Sequence, residues 1–207
     1  MIELKNVSLK LKGKELLKNI NITAENGEIV GLVGYNGSGK TLIMKCICGF
    51  INQYTGTIKV DGVDIRTISV EKLDMGIQIE VPSFLSFYSG FKNLKMLAGL
   101  KGNINDEDIS EVMKLVGLNP DSKLCVAKYS LGMRQRLGIA QALMENPNIL
   151  ILDEPFNSLD YEVSQNIRRI LLKEKEKGKT ILITSHNLYD IETLCDKTYQ
   201  VEKGEIV

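Results

Sequence analysis

Val7, Leu9 and Leu11 alternate with Ser8, Lys10 and Lys12, and Ile20, Ile22 and Ala24 repeat the same period of two. Successive strand side chains point to opposite faces, so both segments read as half-buried strands. Asn26-Gly27 signals a tight turn. It leads into residues 28–33, an apolar run that reads as a buried strand, and residues 57–62 add another short strand and turn. The opening is therefore expected to form a largely antiparallel β layer joined to an α/β core.

The period changes further on. Asn105 with Asp106, Glu107 and Asp108 offers a cap and an acidic first turn, and Ile109, Val112, Met113 and Val116 form a helical stripe that Gly117 and Pro120 close. Met133, Leu137, Ala140 and Met144 form a second stripe, ended by Asn146-Pro147. The next apolar strand, residues 148–152, lies about a hundred residues beyond the glycine-rich stretch at 34–41, far more than a crossover helix of about a dozen residues needs. Residues 83–145 are accordingly read as a helical subdomain inserted into a core made of 1–82 and 146–207, the whole forming a single domain over 1–207. After it come a helix at 163–177, a strand at 180–184, a short helix at 188–194 and a closing hairpin around Lys203-Gly204. Strand–helix alternation of this kind predicts a mainly parallel sheet with helices on both faces.

Composition narrows the class. With 26 Lys and Arg against 26 Asp and Glu, no global field favours nucleic acid. No apolar run approaches the ~20 residues of a membrane helix, and the first residues lack a signal peptide's apolar centre, so a cytoplasmic protein is expected. Cys46 and Cys48 lie one residue apart, but a single histidine and no second Cys pair leave a metal site incomplete; buried reduced thiols are the better reading.

The chemistry starts at Gly34-Tyr35-Asn36-Gly37-Ser38-Gly39-Lys40-Thr41, which fits G-x-x-x-x-G-K-[ST] at every fixed position. A strand precedes it, and Leu42, Ile43, Met44, Cys46 and Ile47 supply the buried side of a helix behind it, which is the context the pattern requires. Glycines let the backbone curl so that its N–H groups face phosphate oxygens. The helix start adds its positive dipole end, Lys40 reaches the β- and γ-phosphates, and the Thr41 hydroxyl can ligate Mg²⁺. The motif implies binding of a nucleoside triphosphate.

Ile149–Leu152 delivers two adjacent carboxylates, Asp153 and Glu154, at the strand's carboxyl end, where ligands of open α/β sheets sit. Asp153 suits the hold on Mg²⁺, and Glu154 can polarise a water against the γ-phosphate. His186, the only histidine, follows the strand at 180–184 and is expected at the same edge, in a hydrogen-bonding role. Ser130 caps the second helical stripe, and with Gly132 it makes a helix start open to an anion. This helix has no evident reach to its own phosphate loop, so its phosphate is expected to come from a second copy of the chain.

These pieces in this order resemble the ATP-binding subunits of ABC transporters. GYNGSGKT is similar to their Walker A motif, ILILDEP to Walker B, YSLGMRQR to the signature, Ser158-Leu159-Asp160 to the D-loop, and Ser185-His186 to the switch histidine. The resemblance covers essentially all of 1–207. It implies a P-loop NTPase core, ATP and Mg²⁺ as ligands, and a head-to-tail dimer that sandwiches two ATP molecules between one subunit's Walker A and the other's Ser130 and Gly132. It further implies Glu154 as general base, His186 as the residue that steadies γ-phosphate and water, and Asp160 as a link between the sites. The partners implied are an integral membrane permease and a second ATP-binding domain, with the chain peripheral on the inner face of the cell membrane.

Three positions depart from the family pattern. The signature reads YSLGM where LSGGQ is commonest. Glu80 stands where many members carry the Q-loop glutamine and is a candidate metal or water contact, with Gln78 a weaker one. No aromatic stands near Leu11 to stack on adenine, which leaves selectivity over GTP open. YSLGMRQRLGIA, IEVPSF and Phe87-Tyr88-Ser89-Gly90 are most similar to ATPases of bacterial bacitracin-resistance and lantibiotic-immunity exporters, implying export of a peptide antibiotic, drug or similar substrate. Phe84, Leu85, Phe87, Tyr88 and Phe91 read equally as lobe core or as a groove for a permease helix. The alternative function is a non-transport ABC ATPase with a regulatory or translation-associated role.

Overall fold

The computed structural model describes residues 1–69, 72–80, 83–102 and 104–207. The hydrophobic pattern resolves into two sheets. The first is antiparallel, built of β1 (Ile2–Leu11), β2 (Lys14–Ala24), β4 (Tyr54–Val60) and β5 (Val63–Asp64) in the order β2-β1-β4-β5. The second runs β10-β9-β3-β8-β7-β6, from β3 (Ile29–Val33), β6 (Met75–Gln78), β7 (Ile149–Leu152), β8 (Thr180–Thr184), β9 (Lys197–Glu202) and β10 (Glu205–Ile206). Every pairing in it is parallel except β9 with β10, which form the closing hairpin.

In β1 the buried set changes phase, from Ile2 and Leu4 to Val7 and Leu9. A register shift between Leu4 and Val7, with Asn6 at φ 50°, absorbs the extra residue. The Asn26-Gly27 turn falls where expected, but it passes from the first sheet to the second rather than closing a hairpin.

Among the described residues six α-helices accompany the sheets: α1 (Lys40–Ile47), α2 (Gly90–Lys101), α3 (Asp106–Leu115), α4 (Leu131–Leu143), α5 (Tyr161–Glu176) and α6 (Leu188–Leu194). Asn105 closes a full capping box with Asp108 at the start of α3. The strands β7 and β8 are apolar throughout because both faces are covered. Ile149, Ile151 and Leu182 join α1 and the antiparallel sheet in one core, while Leu150, Leu152, Ile181 and Ile183 join α2, α3, α4 and α5 in the other.

Two elements differ from the sequence expectation. The parallel sheet does not wait for β7: β6 already lies in it, next to β7. Its signal is weak because it is four residues long and holds a glycine. That glycine is needed, since a Cβ on Gly76 would lie 1.8 Å from the Ala142 carbonyl oxygen of α4. The helix α2 also lacks a clean stripe; it buries Leu94 and Ala98 together with Asn93, whose side chain donates to the carbonyls of Leu85 and Ser89 and accepts from the Leu85 N–H. Within 83–145, α4 packs directly on β6 and β7. The expected boundary at 82 falls at Val81 and Pro82, outside the described residues.

The aromatic cluster divides. Phe84 and Phe91 pack against the helical core, whereas Leu85 and Phe87 are exposed, Phe87 by 64%.

Candidate functional site

The site forms where β3 and β7 end. Gly34, Gly37 and Gly39 all take positive φ, at 153°, 82° and 118°. A side chain at Gly34 would put its Cβ 2.2 Å from the Val201 carbonyl oxygen, so the loop both turns and packs through its glycines. Gly39 precedes α1 without a side-chain cap, which leaves the helix's first N–H groups for an anion. Lys40, itself buried, folds back to donate to the carbonyls of Gly34 at 2.5 Å and Tyr35 at 3.1 Å. Its ammonium thereby braces the loop from inside. The Ser38 hydroxyl is buried with no partner among the described residues, as expected of a group shaped for a phosphate oxygen.

From the other side β7 and β8 deliver the acids. Asp153 Oδ2 accepts from the Thr41 hydroxyl at 2.8 Å and its Oδ1 accepts from the Thr184 hydroxyl at 2.6 Å. Thr184 in turn accepts from the Glu154 N–H at 2.7 Å. Thr184 thus fixes both neighbours, and only its place as the polar last residue of an apolar strand marks it in the sequence. Glu154 sits at φ 49°, and its Oε2 lies 2.9 Å from His186 Nδ1. Its Oε1 is buried without a partner among the described residues. Thr41 and Asp153 offer hard oxygens of the kind Mg²⁺ prefers when phosphates and waters complete its shell.

A cavity of about 550 Å³ brings Asn36, Gly37, Gly39, Lys40, Thr41 and Leu42 together with Glu80, Asp153 and Glu154. Gly34, Tyr35 and Ser38 belong to the same loop but not to its wall, and Tyr35 is 81% exposed. Leu11 is not in the wall either. Glu80 takes φ 58° and pairs with Lys45 of α1 at 2.6 Å. Gln78 is buried at the end of β6, its amide donating to the Glu80 carbonyl and its Oε1 without a partner among the described residues.

The start of α4 comes nearer its own phosphate loop than an inserted lobe implies. Leu131, Arg134 and Gln135 line the same cavity, and Gln135 donates to the Glu154 carbonyl at 3.0 Å. In the sequence these three stand within YSLGMRQR, where only Ser130 and Gly132 were expected to meet a phosphate. Ser130 does not line it; it is exposed and accepts from the Met133 N–H as the cap of α4. Asp160 likewise caps α5, accepting from Val163 N–H at 2.9 Å. Behind the loop, burial pushes the Cys46 thiol up to about 12 and Cys48 higher still, which suits packed, unreactive side chains.

Comparison with known proteins gives one pattern. A family model described as ABC transporter matches residues 17–157. An uncharacterized ABC transporter ATP-binding protein of Bacillus subtilis, YybJ, is 42% identical over 207 residues, covering 100% of this chain and 94% of the relative. The bacitracin transport ATP-binding protein BcrA of Enterococcus faecalis is 37% identical, over 100% of this chain and 68% of its own. The lantibiotic transport ATP-binding protein SrtF of Streptococcus pyogenes is 34% identical, over 100% and 89%. Among solved structures, a dimeric post-hydrolysis state of the ATP-binding cassette MJ0796, bound to ADP and Pi, has the same fold, with a TM-score of 0.90 at 23% identity over 100% of this chain and 96% of that one.

Proposed function

Since this chain belongs to the ABC transporter family as an ATP-binding subunit, an ATPase, we propose that it powers export of a peptide antibiotic or similar molecule through separate membrane subunits. The loop N–H groups and Lys40 bind the triphosphate, and Thr41 and Asp153, already joined by a hydrogen bond, would hold Mg²⁺. Bound there, Mg²⁺ neutralises charge on the phosphate oxygens. Glu154 takes the proton of the attacking water as its oxygen bonds to the γ-phosphorus and the bond to ADP breaks, while His186 orients Glu154 and the γ-phosphate. Asp160 and Glu80 complete the set: Asp160 would link the two sites, and Glu80, in the cavity wall, would contact the metal or a water on it.

Ser130 and Gly132 of the partner subunit close each site in a head-to-tail dimer. Support comes from the exposed cap at Ser130, which does not line the cavity of its own chain, and from the dimeric state of MJ0796. Among the described residues no helix is long and apolar enough to cross a membrane. In this reading a separate permease carries the substrate and this chain works against its inner face. A second cavity of about 870 Å³, bordered by Phe50, Leu97, Leu100 and Glu80, suits a cytoplasmic helix of that permease.

The observation that carries this reading is the Glu154–His186 contact of 2.9 Å, with the second Glu154 oxygen unpartnered among the described residues. Glu154→Gln is expected to trap an ATP-bound dimer on gel filtration. A variant that stays monomeric with ATP and Mg²⁺ defeats the sandwich.

A further inference from the structure

Glu154 and His186 meet on separate loops, and something must hold the two in register. Behind them lies a buried polar group that the proposed chemistry does not use. Arg168 of α5, Asp190 of α6 and Ser185 are 7%, 1% and 2% exposed. Arg168 donates through Nε to Asp190 Oδ1 at 3.0 Å and again through Nη2 to the same oxygen. Asp190 Oδ2 accepts from the Ser185 hydroxyl at 3.0 Å, and Ser185 Oγ accepts from the Asn187 N–H at 3.1 Å. This network therefore grips both residues that flank His186.

The same guanidinium also reaches the other loop. Its carbon lies 5.1 Å from the ring centroid of Phe156, two residues past Glu154, and 5.0 Å from that of Tyr189, on α6. Phe156 is itself buried. One side chain thus touches the loop of Glu154 through an aromatic face and the loop of His186 through a carboxylate and a serine.

We propose that Arg168 is a positioning residue that holds the Glu154 and His186 loops in register for ATP hydrolysis, with Asp190 and Ser185 carrying its grip to His186. The inference rests on the reading of Glu154 and His186 given above. Its chemistry asks for arginine. A planar guanidinium can stack on Phe156 while its edge engages Asp190, and an ammonium on a flexible stem cannot do both. A plain structural ion pair would stabilise the fold without setting the geometry of the two loops.

The test compares Arg168→Lys with the parent chain, each with His186 intact and as His186→Ala. Arg168→Lys is expected to lower kcat for ATP hydrolysis at least tenfold with KM changed less than about twofold, and to cost less than about twofold in the His186→Ala background. Because the chain has a single histidine, its imidazole NMR signals are unambiguous. They are expected to shift or broaden in nucleotide-free Arg168→Lys. Equal losses in both backgrounds, or an unmoved imidazole signal, overturn the proposal and leave the roles of Glu154 and His186 standing. Full turnover by His186→Ala removes those roles and this inference together. If Arg168→Lys does not fold, the pair Arg168→Met with Asp190→Leu, which buries no lone charge, takes the same measurements with the same outcomes.

Discussion

Gly132 packs on Ser158 so closely that a Cβ there would lie 2.6 Å from the Ser158 carbonyl oxygen. The obstacle is backbone, so it cannot swing aside as a side chain can. The start of α4 and the loop that joins Glu154 to Asp160 are therefore pressed together within one chain. Gly132→Ala is expected to lower stability by about 1–3 kcal/mol, as overpacking does, and to reduce turnover well beyond that by displacing the loop. Thermal melting and steady-state ATPase assays check both; an unchanged kcat would mean that the contact is idle.

Lys40→Ala removes both the loop brace and the proposed phosphate contact. Loss of ATP binding or turnover is expected, measured by calorimetry and phosphate release. Retained full activity refutes the assignment.

The Lys45–Glu80 pair has Glu80 62% exposed, so in the free chain it contributes no more than about 1 kcal/mol. Beside a triphosphate the uncompensated carboxylate matters more. Lys45→Met is expected to leave the melting temperature nearly unchanged and to weaken ATP binding without Mg²⁺ by roughly two- to fivefold, the range of a partly screened pair. Adding Glu80→Gln should abolish the difference. Identical effects with and without Glu80 would show that the two residues act separately.

Glu174 gives a pH signature. Burial pushes its carboxyl up, but Lys177 and Lys179 together outweigh burial and hold it below the ordinary value of 4.5. Lys179 Nζ lies 2.5 Å from it, and both side chains are buried. A carboxyl with a depressed folded pKa contributes stability that is complete above its unfolded pKa and is lost as pH falls through the folded value. Lys179→Met is expected to cost up to about 3 kcal/mol near pH 7, with the gap to the parent closing below pH 4.5. A gap that stays constant into acid would assign the loss to packing instead.

Phe87 is exposed, whereas the nearby Phe84 and Phe91 are partly buried against the helical core. Phe87→Asp is expected to uncouple transport while nucleotide binding persists, assayed by co-purification with the permease and by ATP affinity. Unchanged assembly counts against a docking role.

Much of this was legible in residue order. The phosphate loop, the strand that ends in Asp153 and Glu154, the cap at Ser130 and the capping box at Asn105 are local devices. Each depends on neighbours a few positions away, so periodicity and residue type suffice to place it. The short strand β6 was not legible, because four residues with a glycine carry no period and its partner β7 is far along the chain. Nor was α2, where the buried Asn93 interrupts the stripe but is satisfied by carbonyls of the preceding turn.

By itself the sequence determined the elements and the chemical types at their ends: an anion loop, two carboxylates and a lone histidine, each just past a strand destined for the same sheet. Only the tertiary structure decided which of them touch. Thr184 sets Asp153 and Glu154 together because β8 pairs in parallel with β7. Gly132 meets Ser158, and Arg168 meets Asp190 and Phe156, through packing between segments whose separation no periodicity encodes. The physical reason is range. Backbone preference and amphipathic pattern act over one or two turns, whereas contact distances of about 3 Å are settled by how whole layers pack.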